Sequence, residues 1–255
     1  MVRTAVKGAR RRRSAPAPAP PPGETRFAIE PVKVAIFCGP SIAAEDVTAI
    51  LPGAATFPPI ERGILLDAIA AGFDVIGIID GTYINRPTLG AAEIFSALEQ
   101  GIHLYGAASL GALRAVEFER HGMQGIGTVF SWYRQGLTTR EDEVVVLMHP
   151  QTFAAQCDAL INLRYACLKA LGAGIIERPL ADATLDLYQS YFYMERRYKR
   201  LFEELRARKL PGSQKRELEA FETFTKQHAK ALDLKRKDAE TLLRHIGDTY
   251  LVVPA

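Results

Sequence analysis

One serine, Ser109, stands within Gly106-Ala107-Ala108-Ser109-Leu110-Gly111, where an apolar run gives way to a helix-like stretch that ends near Gly122. A hydroxyl at a strand-to-helix corner projects from the turn. The N–H groups that open the helix, those of Leu110 and Gly111, can hold an oxyanion. Small neighbours let a substrate approach the backbone. This is the logic of a nucleophile elbow, although Gly106-x-x-Ser109-x-Gly111 is not the hydrolase GxSxG spacing. Serine at a helix start is more often an N-cap, so two readings stand at this residue. Gly106, Gly111 and Arg114, one turn on, raise the nucleophile reading.

A nucleophile needs a base. Residues 31–180 contain two lysines, Lys33 and Lys169, so a Ser–Lys pair is hard to assemble from the loops of that region. The nearby carboxylates are Asp80, Glu61 and Glu93. Asp80-Gly81 suits either a cation or donor site or a tight turn. Arg62, after Pro58-Pro59, suits either a grip on a carboxylate or thiocarboxylate or a surface ion pair. Glu93 also fits the role of complementing a helix dipole. Gly39-Pro40-Ser41 lacks the P-loop lysine, and the chain has no GxGxxG. The five histidines show no HxH or HExxH spacing, and Cys38, Cys157 and Cys167 form no CxxC. No metal site is expected.

The elements that must position these groups alternate. VKVAIFCG, FDVIGIIDG and IHLYGAAS read as buried strands, and EDEVVVLMHP as a fourth. AEDVTAIL, the stretch after Pro58-Pro59, LGAAEIFSALEQ and LGALRAVEFERH read as helices. Strands alternating with helices predict an α/β fold with a mostly parallel sheet and flanking helices. Ligands bind beyond the carboxyl ends of such strands. Ser41, Asp80 and Ser109 then share one edge. From about Leu180 the chain becomes richly charged and helical, and its stripe of Tyr188, Tyr191, Phe192 and Phe202 reads as packing. The organisation expected is an Arg/Pro-rich tail without structure over 1–30, an α/β core over 31–178 and a helical region over 179–255.

Charge is uneven. Residues 1–30 hold seven basic and two acidic side chains, residues 31–180 ten and fifteen, and residues 181–255 fifteen and twelve. The acidic middle argues against a nucleic-acid-binding core. No apolar run reaches membrane-spanning length. Three cysteines without a signal peptide point to a reducing cytoplasm.

Several pieces occur in an order that resembles the TfuA-like family. They are Gly39-Pro40-Ser41, Pro58-Pro59-Ile60-Glu61-Arg62-Gly63, Ile78-Ile79-Asp80-Gly81 and Glu93-Ile94, then GAASLGALRAVEF (Gly106 to Phe118), Gly122-Met123-Gln124-Gly125-Ile126-Gly127 and Asp142-Glu143-Val144. The resemblance covers roughly residues 32–165. It implies a partner of a YcaO protein in peptide-backbone thioamidation of a ribosomal precursor peptide or protein. It also implies release of sulfide from a thiocarboxylated ThiS-like sulfur carrier by a Ser–Lys pair, with no cofactor. Carried onto this chain, Ser109 is the nucleophile, Arg62, Asp80 and Arg114 are pocket residues, and Ser41 lines the same edge. One position departs: many relatives carry a basic residue before the Glu-Ile pair, where this chain has Ala92. Either another group is the base, or the chain is a non-catalytic recruitment partner of the YcaO protein. The strand-end glycines alone would also allow a nucleotide-binding protein.

Overall fold

The structure is a computed structural model that describes residues 31–83 and 87–254. The expected tail over 1–30 lies outside the described residues. Apolar stretches, β-branched in the first two, make the central strands β1 (Pro31–Phe37), β3 (Val75–Ile78) and β4 (His103–Gly106). Three shorter strands join them: β2 (Ala55–Phe57), β5 (Gln124–Gly125) and β6 (Leu251–Val253). The order is β2-β1-β3-β4-β5, with β6 beside the first residues of β1, and every pairing is parallel.

The helices between strands are α1 (Ala44–Ile50), α2 (Ile64–Ala70), α3 (Ala91–Glu99) and α4 (Leu110–Phe118). After β5 come α5 (Gly127–Arg134), α6 (Leu160–Gly172), α7 (Arg178–Ser190), α8 (Tyr198–Ala207), α9 (Gly212–Gln227), α10 (Ala229–Leu232) and α11 (Leu234–Thr249).

The pleat of β1 shows how the sheet is covered on both faces. Ala35 and Phe37 pack with Leu65 of α2, Ile94 of α3 and Leu113 of α4. Val34 and Ile36 point the other way, toward Val47 of α1 and Ala239, Leu242 and Ile246 of α11. Successive strand residues alternate faces, so each run of β-branched residues serves two cores. A third core lies among α6 to α10, where Tyr188, Tyr191 and Phe202 are buried as packing residues. Phe192, from the same stripe, is exposed. The last helix and strand of the charged C-terminal region thus belong to the sheet.

The segment 141–150 is not the fourth strand expected of it. It opens with a turn of 3-10 helix, Glu141–Glu143, and runs on irregularly, with a single antiparallel bridge between Met148 and Ala155. Its apolar run signals burial rather than pairing, because Val144 and Val145 are buried within a wall outside the sheet. The two-residue β5 takes the sheet position beside β4. Strands as short as β2, β5 and β6 carry too few residues to show an alternation.

Candidate active site at the carboxyl edge of the sheet

In this strand order the connections from β1 and β3 depart to opposite sides, so the crevice outside their carboxyl ends is the switch point where α/β proteins bind ligands. Asp80, just beyond β3, is only 1% exposed. Its carboxylate accepts the Ser41 hydroxyl at 2.6 Å and the Ser41 backbone N–H at 2.9 Å. The loop at 58–62 is tied to the same place, because Ile60 N–H donates to the Asp80 carbonyl and Thr82 N–H to the Ile60 carbonyl, both at 3.0 Å.

Ser109 begins the next corner. Its hydroxyl is not a helix cap. It points instead toward the Val144 carbonyl, at 3.4 Å. The preceding residue, Ala108, has φ of +63°, and Ser109 N–H closes back on the Ala107 carbonyl at 2.6 Å. A three-residue turn with positive φ at its centre is the rare, strained form. Such strain persists where the surroundings over-determine it, often at functional sites. Here the surroundings are two glycines. A side chain on Gly111 would collide with the Ile78 carbonyl, and one on Gly106 would collide with the Gly111 carbonyl. The pair lets α4 start in contact with the ends of β3 and β4, so their immediate use is close packing.

A buried amine reaches the same place from far along the chain. Lys235, in the first turn of α11, is 3% exposed, and its ammonium donates to the same Val144 carbonyl at 2.8 Å. Ser109 and Lys235 therefore converge on one oxygen. Burial holds the Lys235 amine below the ordinary lysine range, while the charge of Asp80 pulls it back up. Burial likewise pushes the Asp80 carboxyl up, against Lys235 and the Ser41 hydrogen bonds. A desolvated lysine of lowered basicity holds its proton loosely and suits general-base work.

Val144 is fixed by its neighbours in the Asp142-Glu143-Val144 stretch. Glu143 receives both arms of Arg164, at 2.9 and 2.7 Å. Asp142 is gripped by Arg140 and by the fully buried Arg196, which also donates to its carbonyl at 2.6 Å. These arginines, the hydrogen bond from Arg140 foremost, hold the Asp142 carboxyl below the usual range. On the far side, α11 is seated by Asp238, which accepts the Val129 N–H at 2.6 Å at the start of α5. Gly127 leaves the room that Asp238 occupies. The Gly122–Gly127 stretch is thereby a seat for the helix that carries Lys235.

Ser109 opens onto a cavity of about 200 Å³, whose walls include Glu61, Gly81, Tyr83, His149, Phe153 and Tyr193. Larger cavities exist. One of about 600 Å³ lies among α6, α8 and α9, but its walls do not include Ser109 or Lys235. Of the sequence-predicted residues, Ser109 and the carboxylate Glu61 line the smaller cavity. Ser41 borders a neighbouring one and shares Pro40 and Phe153 with it as common wall. Asp80 lies behind the wall. Glu93 is buried and accepts the N–H groups of Gly63 at 2.7 Å and Gly90 at 3.3 Å, joining the loops before α2 and α3. Arg62 is exposed. Arg114 pairs with Glu117 at 2.6 Å. Leu110 packs against Gly81. The Gly111 N–H faces the Ile79 carbonyl at 3.4 Å, whereas no hydrogen bond among the described residues is donated by the Leu110 N–H.

Lys235 lies outside residues 31–180, the stretch whose two lysines the local pattern offers. A signal existed. Lys235 and Asp238 fall on the stripe completed by Ala239, Leu242, Leu243 and Ile246, the buried face of α11. A lysine at an apolar-face position is costly to bury without a purpose or a partner.

Among the described residues no group of three or more His, Cys, Asp or Glu could hold a metal ion, and no helix is long and apolar enough to cross a membrane. No curated protein matches the chain. Residues 80–197 match the family model described as TfuA-like protein, a stretch that takes in Ser109, the Val144 wall and Arg196 but not Lys235. Over that stretch the chain is similar to the TfuA-like family.

Proposed function

We propose that the protein releases sulfide from a thiocarboxylated ThiS-like carrier and serves a YcaO protein that thioamidates a ribosomal precursor peptide or protein. Ser109 attacks the thiocarboxylate carbon, and its proton passes to the neutral Lys235 amine. The carbon–sulfur bond then breaks. Sulfur leaves as bisulfide, taking the proton back from the Lys235 ammonium, and the carrier is held as an ester on Ser109. Water, deprotonated by Lys235, cleaves the ester and returns a carboxylate and the free serine. The net reaction is thiocarboxylate plus water to carboxylate, bisulfide and one proton released to solvent, with no redox change and no cofactor.

The observation that carries this reading is the meeting of Ser109 Oγ and Lys235 Nζ on the Val144 carbonyl in the wall of a cavity. The two groups are not in direct hydrogen bond. Catalytic contacts are often loose in a free enzyme and tighten with substrate bound. A narrow cavity suits the slender end of a carrier tail. The exposed Phe192 and Met194 flank Tyr193 of the cavity wall and offer apolar surface for a protein-sized substrate.

The test is to incubate the full chain with a thiocarboxylated ThiS-like carrier and follow the carrier's mass. Loss of sulfur with gain of oxygen is expected, with Ser109→Ala slower by about 1,000-fold or more. Equal conversion by Ser109→Ala would eliminate the reading.

A further inference from the structure

His149 lines the same cavity as Ser109. Its Nδ1 accepts two backbone N–H groups, from Gln151 at 3.3 Å and Thr152 at 3.2 Å. An accepting Nδ1 carries no hydrogen, so the neutral ring bears its hydrogen on Nε2, at the opposite edge. The turn that fixes this tautomer is well anchored. Phe153 N–H donates to the His149 carbonyl and His149 N–H to the Ala154 carbonyl, both at 2.9 Å. Phe153 takes φ of +56°, a region that bulky residues rarely enter. Its side chain packs over Gly39.

The oxyanion site beside Ser109 is short of donors. The Ser109 N–H is spent in its own turn, and the Gly111 N–H is turned toward the Ile79 carbonyl. A cavity of about 200 Å³ is smaller than a drug-sized pocket. Ser109 and His149 line this one small space, so a carbonyl attacked by Ser109 shares it with the imidazole.

We infer that His149 is a catalytic residue whose Nε2–H donates a hydrogen bond to the thiocarboxylate oxygen as that oxygen becomes an oxyanion. The inference rests on the proposed Ser109 reaction. The imidazole neither gains nor loses a proton: it polarises the carbonyl as a neutral electrophile, a role known for histidine held in one tautomer. Together with the Leu110 N–H it makes a two-donor hole.

Two variants separate this role from a structural one. In His149→Asn the amide oxygen can replace Nδ1 and keep the turn, but the distal donor is gone. In His149→Gln the amide N–H can reach the Nε2 position. With the thiocarboxylated carrier as substrate, His149→Asn is expected to lose about 100-fold in kcat with KM nearly unchanged, and His149→Gln to recover about tenfold of that loss. Unfolding midpoints are followed in parallel, and the contrast between the two variants stands whatever stability both lose. Full activity in His149→Asn, or a His149→Gln no faster than His149→Asn, would overturn the inference while leaving the Ser109 reaction intact. A wild-type chain that leaves the carrier unchanged would overturn both.

Discussion

The corner at Gly106–Gly111 and the first turn of α11 supply one reactive group each, yet they are built in opposite ways. The corner is local: a strand end, a strained three-residue turn and two glycines present Ser109 within a few residues of chain. The turn of α11 is remote. Lys235 reaches Val144 across 91 positions of sequence, and its place depends on Asp238 seated against α5 and on Asn162, which accepts the Lys235 N–H at 3.1 Å. Two side chains that meet on one carbonyl are thus placed by segments far apart in the chain. Ser109 lies inside the stretch that the family model matches, and Lys235 lies in a helix beyond it.

The largest effect is expected from damage to the corner. Gly111→Ala puts a methyl group against the Ile78 carbonyl, a backbone atom that cannot move aside. A loss of about 4 kcal/mol in urea unfolding, or failure to fold, is expected. A folded and active Gly111→Ala protein would show that the corner tolerates a looser fit than this packing implies.

Lys235→Met tests the other region and should divide stability from activity. The folded state holds the Lys235 proton less firmly than the unfolded chain does, because burial lowers its basicity. The charge therefore costs stability below the folded pKa, and the cost fades as pH rises toward the ordinary lysine value. Methionine removes both the cost and that slope. The expected result is a melting temperature no lower than wild type near neutral pH, with carrier conversion down by about 100-fold. A lower melting temperature with unchanged conversion would make Lys235 a strut and not a base.

The smallest effect concerns the seat of α11. Burial raises the Asp238 carboxyl to about 6, against the pull of the Val129 and Thr128 N–H groups. Its folded value lies above the unfolded one of 3.8. The folded state therefore binds the proton more tightly, and this group's contribution is greatest at low pH and is lost as pH rises through about 6. Asp238→Asn should remove that dependence, which is no more than about 3 kcal/mol between pH 4 and 7, and should match or exceed wild-type stability at neutral pH. An unchanged pH profile of unfolding would detach Asp238 from this role.

Much of the fold was legible in the residues. Long apolar runs gave β1, β3 and β4, and amphipathic spacing with glycine stops gave the helices between them. Short strands and the wall at 141–150 were not legible, because burial outside a sheet leaves the same apolar signature as burial within one. At the site, Ser109 was singled out by its small neighbours, but their role was not. The glycines serve the contact between α4 and the strands, and the gap they leave is filled by protein.

An alternating α/β chain with a serine at a strand-to-helix corner follows from local pattern, since hydrophobic period and turn chemistry are properties of neighbouring residues. The tertiary structure alone decided what faces that serine. Bringing Lys235, Val144 and His149 to it requires α11 to close over one face of the sheet and the 141–155 wall to fold against the edge. Those placements follow from burial shared among distant segments, which no local pattern encodes.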